Sequence, residues 1–117
     1  MRNKIISDLN DKRITDICNK VFYYRKPENI DADTYIRWIF IDTKGALFAG
    51  NNNMADLFYI QIDIFSTSNY EKLSKEIKKV LKEKRYLIYD EKDLVEELSD
   101  NTLLYHKALR FKYMKFN

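Results

Sequence analysis

The clearest pattern in the chain is an alternation of apolar and polar residues that changes, within a few positions, to helical spacing. Apolar side chains occupy every second position of the predicted strand Leu57–Phe65, namely Phe58, Ile60, Ile62 and Ile64. A period of two is typical of a β-strand. Beyond Ser66–Ser68 the apolar residues take the spacing of an α-helix and form one stripe, made of Tyr70, Leu73, Ile77, Val80 and Leu81. Residues 56–77 therefore predict a strand that leads directly into an amphipathic helix.

The start of this helix carries a capping signal. Ser68 and Glu71 have the spacing of a capping box, in which each side chain accepts a hydrogen bond from the backbone N–H of the other residue. We therefore expect Ser68 to be the residue that caps the helix.

The remaining patterns predict one more helix and four more strands. Residues 2–10 have helical spacing, and "ITDI" at residues 14–17 continues or ends this first helix. The predicted strands are Val21–Tyr24, Tyr35–Asp42, Tyr86–Asp90 and Leu103–Tyr113. The acidic residues 91–100 are expected to form an irregular or briefly helical link. This order predicts a single α+β domain over residues 1–117, with a mainly antiparallel sheet of about four to five strands and two main helices packed on it.

Two further expectations concern the middle of the chain. The strand Tyr35–Asp42 is largely apolar on both faces, so we expect it to be central and covered on both sides. Residues 43–53 contain both glycines of the chain and three consecutive asparagines. This segment is expected to be an extended hairpin loop, with strand character at Leu47 and Phe48.

Composition narrows the possible classes of protein. Hydrophobic residues make up 45% of the chain and aromatic residues 15%, which is typical of a folded domain. The apolar runs are too short for a transmembrane helix. With 21 basic and 18 acidic residues the surface has mixed charge. Two separated glycines leave no phosphate-binding loop. A single cysteine forms no internal disulfide and favours a reducing cytoplasm.

The residues that could carry chemistry are few. Cys18 and His106 are the only possible thiol–imidazole pair, but nothing in the sequence places them together. Cys18 has the spacing of a buried core residue, and His106 lies on the polar face of its strand, where a solvated side chain is the simplest interpretation. One histidine and one cysteine are too few for a structural zinc site, and Asp90–Asp93 lack the spacing of a calcium loop. We expect no catalytic, cofactor-binding or metal-binding residues.

Basic residues leave a nucleic-acid interpretation open. The lysines between Lys72 and Arg85 are interleaved with glutamates, so pairs such as Glu71–Lys75 favour a solvated helix face. Arg110 and Lys112 on the last strand, together with nearby aromatic residues, could form a platform on which single-stranded bases stack.

Aromatic residues exceed what one sheet face can bury under two helices. Surplus Tyr, Trp and Phe on a small domain are typical of a protein interface. A sheet covered by helices on both faces would also accommodate them. The interface interpretation favours an assembly protein.

Three blocks of the sequence, in this order, resemble the tail-completion, or tail-terminator, proteins of long-tailed bacteriophages and prophages. The blocks are "YYRKPENIDADTYIRWIFID", "FYIQIDIFSTSNYEKLSKEIKKVL" and "TLLYHKALRFKY". Members of that family have a proline-containing segment before a strand, a "QIDIFS"-like strand that leads into a helix of the "Y..L..EI...L" type, and a closing strand similar to "LYHKALRF". The resemblance spans roughly residues 23–113 and is carried by the order of the blocks.

The resemblance implies a structural role without catalysis. Such a subunit assembles as a ring, typically sixfold, on the head-proximal end of the tail tube, where it stops tube growth and offers a surface to the head. The implied partners are copies of itself in a homohexamer, the tail tube protein and the head–tail connector protein, with at most transient contact with DNA and none with a membrane. The implied location is the host cytoplasm during assembly and then the virion tail.

The connection at residues 43–53 is our hypothesis for the element that reaches the tube or its lumen. The candidate partner-binding residues are Lys44, Gly45, Leu47, Phe48, Asn51, Asn52 and Asn53. An ordinary flexible hairpin loop is the alternative interpretation. The alternatives for the whole chain are another head–tail joining component, a small nucleic-acid-binding module, and an enzyme that uses Cys18 and His106.

Overall fold

The described part of the chain folds as three helices and one five-stranded sheet. The computed structural model describes residues 1–49 and 52–117, and it describes residues 44–49, 52 and 53 by their backbone only. The helices are α1 (Arg2–Leu9), α2 (Lys12–Thr15) and α3 (Glu71–Glu83). The strands are β1 (Val21–Tyr23), β2 (Thr34–Ala49), β3 (Asn52–Ser66), β4 (Leu87–Glu97) and β5 (Leu103–Phe116). Their order in the sheet is β1-β2-β3-β5-β4; β1 and β2 are parallel, and the other three neighbouring pairs of described strands are antiparallel. The α+β expectation is confirmed.

The hydrophobic core lies between the helices and one face of the sheet. The helices contribute buried apolar residues that include Ile5, Leu9, Ile14, Leu73, Ile77 and Leu81. The strands contribute Ile36, Trp38, Ile60, Ile62, Ile64, Leu109 and Phe111. The apolar stripe of α3 and the alternation in β3 are thus buried against each other, as the sequence predicts. Cys18 is also buried in this core, as expected.

The opposite face of the sheet, which we call the open face, carries the alternate residues of the same strands. Tyr35, Arg37 and Ile39 of β2 lie on it and are half-buried, while Ile41 is exposed. The expectation that β2 is covered on both sides is therefore wrong: helices cover the side of Ile36 and Trp38. Apolar character on both faces of β2 reflects aromatic packing on the open face.

The start of α3 differs from the expected capping box. The helix begins at Glu71, and Tyr70 occupies the N-cap position without a side-chain capping bond. Ser68 does not cap it, because its hydroxyl lies 3.3 Å from the Ser66 hydroxyl, which also accepts the Ser68 backbone N–H at 3.1 Å. Asn69 instead accepts the backbone N–H of Glu71 at 2.8 Å. A local turn therefore satisfies the groups that the capping box would have used.

Strand β4 is longer than the sequence predicts. It runs from Leu87 to Glu97, so the expectation of an irregular link over residues 91–100 is wrong for most of that segment. Every residue of β4 is exposed, yet it pairs with β5 along its length, from Leu87–Lys112 to Glu97–Leu103. Pairing with a neighbour, and not the propensity of the acidic residues themselves, makes this segment a strand.

Candidate assembly surfaces

Six of the seven candidate partner-binding residues lie in paired β-strands and not in a loop. Lys44, Gly45, Leu47 and Phe48 belong to β2, Asn52 and Asn53 belong to β3, and Asn51 lies outside the described residues. Thr43 pairs with Phe58 and Ala49 with Asn52, with register shifts on either side of Leu47. The strands continue because antiparallel pairing satisfies the backbone groups that a loop would leave to water. The expected loop is thus corrected to a paired hairpin.

This hairpin extends past the rest of the sheet. The β3–β5 register ends at Ala55 and Phe116, and the β4–β5 register ends at Leu87 and Lys112. The sheet therefore narrows toward its hairpin end, in a molecule with principal extents of 58 × 27 × 26 Å. Exposed apolar side chains lie at the base of the hairpin: Met54, Met114 and Phe116, the last of which is 68% exposed.

The edge strand β4 forms a second exposed apolar surface. Leu87 is 61% exposed and Val95 is 57% exposed, on a strand that pairs with β5 along one side only. Exposed apolar residues of this strand and the turn after it also include Ile88, Tyr89, Leu94 and Leu98. An edge of this length presents unpaired backbone N–H and C=O groups to any strand that approaches.

Helix α3 holds β4 from one side. The Lys78 ammonium lies 2.9 Å from the Glu91 carboxylate, and the Tyr70 hydroxyl donates to Asp93 at 2.5 Å. Burial and the hydrogen bond to Asp93 raise the pKa of Tyr70 to about 12. Two acidic side chains of β4 are therefore already bound by residues of the same chain.

The edge of the sheet opposite β4 forms a third surface, around β1. Tyr23 and Tyr24 are both exposed, and the guanidinium of Arg2 lies 4.3 Å from the ring centroid of Tyr23. Beside them, Ile6, Tyr23 and Trp38 line part of a cavity of about 300 Å³ between α1 and the sheet. Both edges of the sheet, β4 and β1, thus expose apolar and aromatic groups.

A buried ion-pair cluster lies at the centre of the open face. Asp63 is fully buried, and its carboxylate accepts hydrogen bonds from Arg37 Nη2 at 2.8 Å, Gln61 Nε2 at 2.9 Å and His106 Nε2 at 2.6 Å. Burial alone would raise the pKa of Asp63, but the hydrogen bonds from His106 and Arg37 outweigh it and lower that pKa below its ordinary value. The expectation that His106 is solvated is wrong, because the residue is only 8% exposed and its ring is hydrogen-bonded to this carboxylate.

Aromatic rings extend this cluster across three strands. Tyr35 stacks on Phe65 with ring centroids 4.8 Å apart, and Phe65 stacks on His106 at 4.2 Å. The guanidinium of Arg37 lies 5.1 Å from the Phe65 centroid. Burial of the Tyr35 ring raises the pKa of its hydroxyl. The surplus aromatic residues are thus partly used within the molecule, to cover Asp63 on a face without helices.

The structure does not bring Cys18 and His106 together. Cys18 lies in the core on the helical side of the sheet, where its thiol faces the carbonyl oxygen of Thr34 at 3.5 Å. His106 lies on the open face beside Asp63. The sheet separates the two side chains, so they do not form a nucleophile and base.

The described residues offer little further chemistry. They contain no group of three or more His, Cys, Asp or Glu side chains arranged to hold a metal ion. None of the helices within residues 1–49 and 52–117 has the length and apolar character needed to cross a membrane. No protein-family model matches the chain, and no curated protein matches it significantly.

Sequence analysis missed the Asp63 cluster, although a signal was present. Asp63 is the one charged residue in the predicted strand Leu57–Phe65, and a charged residue is almost never fully buried without partners. Arg37 and His106, on the two neighbouring strands, are the partners that this signal could have suggested. The sequence contained no comparable signal that β4 would continue past Asp90 as an exposed strand.

Proposed function

We propose that this protein is a ring-forming assembly subunit of the tail-terminator type, which caps the tail tube of a bacteriophage or prophage. The observation that carries the proposal is that apolar side chains are exposed at both edges of the sheet. Leu87 and Val95 are exposed on the edge strand β4, and Tyr23 and Tyr24 are exposed at the edge formed by β1. A subunit with two different, complementary binding surfaces associates head to tail, and such contacts close into a ring when the rotation between copies allows it.

The resemblance in sequence supplies the identity of the assembly. The three blocks that resemble tail terminators cover parts of β2, β3, α3 and β5, which build the sheet and its core. A terminator ends tube growth by binding the last ring of the tube while it offers no matching face to another tube subunit. This task requires surfaces and no catalytic group, cofactor or metal ion.

The hairpin at residues 43–53 is the proposed contact with the tube. It extends beyond the ends of β4 and β5, and the exposed side chains of Met54, Met114 and Phe116 surround its base. Residues that extend from a rigid sheet can enter a neighbouring ring without disturbing the core.

The test is a capping assay with the tail tube protein encoded by the same genome. Tube protein polymerises in the presence of increasing amounts of this protein, and electron micrographs give the tube lengths. We expect shorter tubes with a density at one end. The variant that lacks residues 45–52 is expected to leave tube length unchanged, whereas Lys72→Glu/Lys79→Glu on the outer face of α3 should cap normally.

Two results would contradict parts of this account. If the complete protein leaves tube length unchanged at every ratio, the terminator function is wrong. If the hairpin deletion caps as well as the complete protein, the function stands and the role of the hairpin is wrong. A head–tail joining component, the alternative within the same class, would bind the connector without shortening the tubes.

A nucleic-acid-binding module is the second candidate. Arg110 is exposed on the open face and donates to Gln61 at 3.1 Å, and Tyr89 is exposed near it. Phe65 and His106, however, are buried in the aromatic stack and offer no free ring face to a base. A fluorescent single-stranded oligonucleotide tests this candidate: it predicts salt-sensitive binding that weakens when Lys78, Lys79 and Arg110 are neutralised.

A further inference from the structure

The two edges of the sheet carry opposite charge. Strand β4 contains five carboxylates, at Asp90, Glu91, Asp93, Glu96 and Glu97, against the single basic residue Lys92. The segment Lys20–Lys26, which contains β1, carries three basic residues and no acidic one. We call these the acidic edge (Leu87–Glu97) and the basic edge (Lys20–Lys26). We propose that the acidic edge of one copy docks on the basic edge of the next copy, an inference that rests on the ring proposed above.

The charges at both edges are available to a second copy. Glu91 and Asp93 are held by Lys78 and Tyr70, but Glu96 and Glu97 are exposed and form no ion pair with any other described residue. On the basic edge, Lys20 and Arg25 are exposed and form no ion pair with the described carboxylates. The ammonium of Lys26 is occupied, because it donates to the carbonyl oxygen of Ile30.

Charge also disfavours the simplest competing contact, which is a symmetric pairing of two β4 strands. Two copies of β4 paired with each other would place strands of five carboxylates and one lysine side by side. Like charges directly opposite each other across a strand pair are destabilising. A symmetric dimer through β4 is therefore disfavoured, while pairing with an edge of opposite charge is favoured.

The backbone at the basic edge leaves room for an incoming strand. Strand β1 pairs with β2 only from Ile36 to Trp38, because Tyr24 adopts a left-handed conformation with φ of 72° and turns the chain away. Beyond Trp38, no other described strand pairs with the outer side of β2. The 11 residues of β4 span about 36 Å, enough to reach past β1 along this free side.

Apolar groups would add to the contact at both edges. Leu87, Leu94 and Val95 are exposed on or beside the acidic edge, and Tyr23 and Tyr24 are exposed on the basic edge. Aromatic side chains at an interface supply most of the buried apolar area, while charges select the partner and its orientation.

The experiment reverses the charge of one edge at a time. The acidic-edge variant is Glu96→Lys/Glu97→Lys and the basic-edge variant is Lys20→Glu/Arg25→Glu. Sedimentation velocity at about 0.1 M salt gives the apparent dissociation constant of each. Each variant alone should associate at least about tenfold more weakly than the unaltered protein, since like charges then face each other. The control Lys72→Glu/Lys79→Glu makes on α3 the same charge change as the basic-edge variant and should associate normally.

Mixing the two variants gives the decisive measurement. In a 1:1 mixture every contact can again join edges of opposite charge, so association should return to within about threefold of the unaltered protein. Far-ultraviolet circular dichroism confirms that each variant is folded. A mixture that stays dissociated, variants that associate normally by themselves, or an unaltered protein that is monomeric at every concentration would each overturn the edge contact.

These results are separable from the proposed function. If rings form and are insensitive to both reversals, the edge contact is wrong while the terminator function stands. If rings respond to the reversals but the protein fails to shorten tubes, the edge contact stands and the terminator function is wrong.

Discussion

His106 Nε2 lies 2.6 Å from the Asp63 carboxylate oxygen Oδ1, and the two residues come from neighbouring strands of the sheet. An ionised carboxylate only accepts hydrogen bonds, so Nε2 carries the proton that is donated. Arg37 and Gln61 supply the other donors. The open face of the sheet is thus organised by a polar centre that the surrounding aromatic rings seal from water.

Replacing Asp63 should destabilise the fold strongly. In Asp63→Asn the buried donors of Arg37 and His106 lose their charged acceptor, and breaking a buried pair typically costs about 3–5 kcal/mol. Urea unfolding at pH 7 measures the change in the free energy of unfolding. The control Asp16→Asn removes an exposed carboxylate and should change that free energy by less than about 0.5 kcal/mol. Equal effects of the two variants would contradict the importance of the cluster.

The same carboxylate should give the fold a dependence on acid pH. The pKa of Asp63 is lowered in the folded state, so its contribution is complete above the ordinary value of 3.8 and is lost as the pH falls through the lowered pKa. As the pH falls below that ordinary value, the unaltered protein should therefore lose more stability than Asp63→Asn does. Parallel curves of unfolding free energy against pH for the two proteins would show that Asp63 is not the group responsible.

Tyr86 should fasten helix α1 to the sheet. Its hydroxyl donates to the Asp8 carboxylate at 2.8 Å in a buried position, and Lys4 pairs with the same carboxylate. Tyr86→Phe removes this donor and is expected to cost about 1–2 kcal/mol of unfolding free energy. Tyr24→Phe, which alters an exposed hydroxyl, is the matched control. Hydrogen exchange should quicken at α1 in the first variant alone; unchanged protection there would contradict the proposed fastening.

Ser74 should be replaceable at no cost. Its hydroxyl is buried in α3 and has no hydrogen-bond partner among the described residues. Ser74→Ala removes the unsatisfied group and improves helix propensity, so the midpoint of thermal unfolding should rise slightly. The control Ser7→Ala, at an exposed position of α1, reports the propensity gain alone. A lower midpoint in Ser74→Ala would mean that the hydroxyl contributes a bond that stabilises the fold.

Cys18 should be inert in the folded protein. Burial raises the pKa of its thiol, and only the thiolate reacts readily with disulfide reagents. We expect slow reaction with an aromatic disulfide reagent in buffer and rapid reaction in urea. Cys18→Ala should assemble as the unaltered protein does, whereas an enzyme dependent on this thiol would lose its activity.

Local periodicity was sufficient to predict most of the elements. The stripe of α3 and the alternation of β3 are sequence features that burial requires, and both elements form where the pattern indicates. The order of elements followed from them. These predictions succeed because each depends on residues that are close together in the chain.

The features that the sequence did not predict depend on distant residues. Strand β4 is acidic and exposed, and it is held by pairing to β5 and by the ion pair between Lys78 and Glu91. His106 is buried because Asp63 lies beside it, 43 positions earlier in the sequence. Ser68 does not cap α3 because its hydroxyl lies beside the Ser66 hydroxyl, and Asn69 accepts the backbone N–H of Glu71 instead. In each case a partner chosen by the fold overrides a local preference.

The central claim is that this chain assembles into a closed ring, and its absolute mass in solution tests that claim most directly. Light scattering over a wide concentration range, with negative-stain images of the same sample, gives both mass and shape. We expect an annular species of about 85 kDa, the mass of six copies of the 14.2 kDa chain. A protein of 14.2 kDa at every concentration, with no annular particles, would contradict the claim.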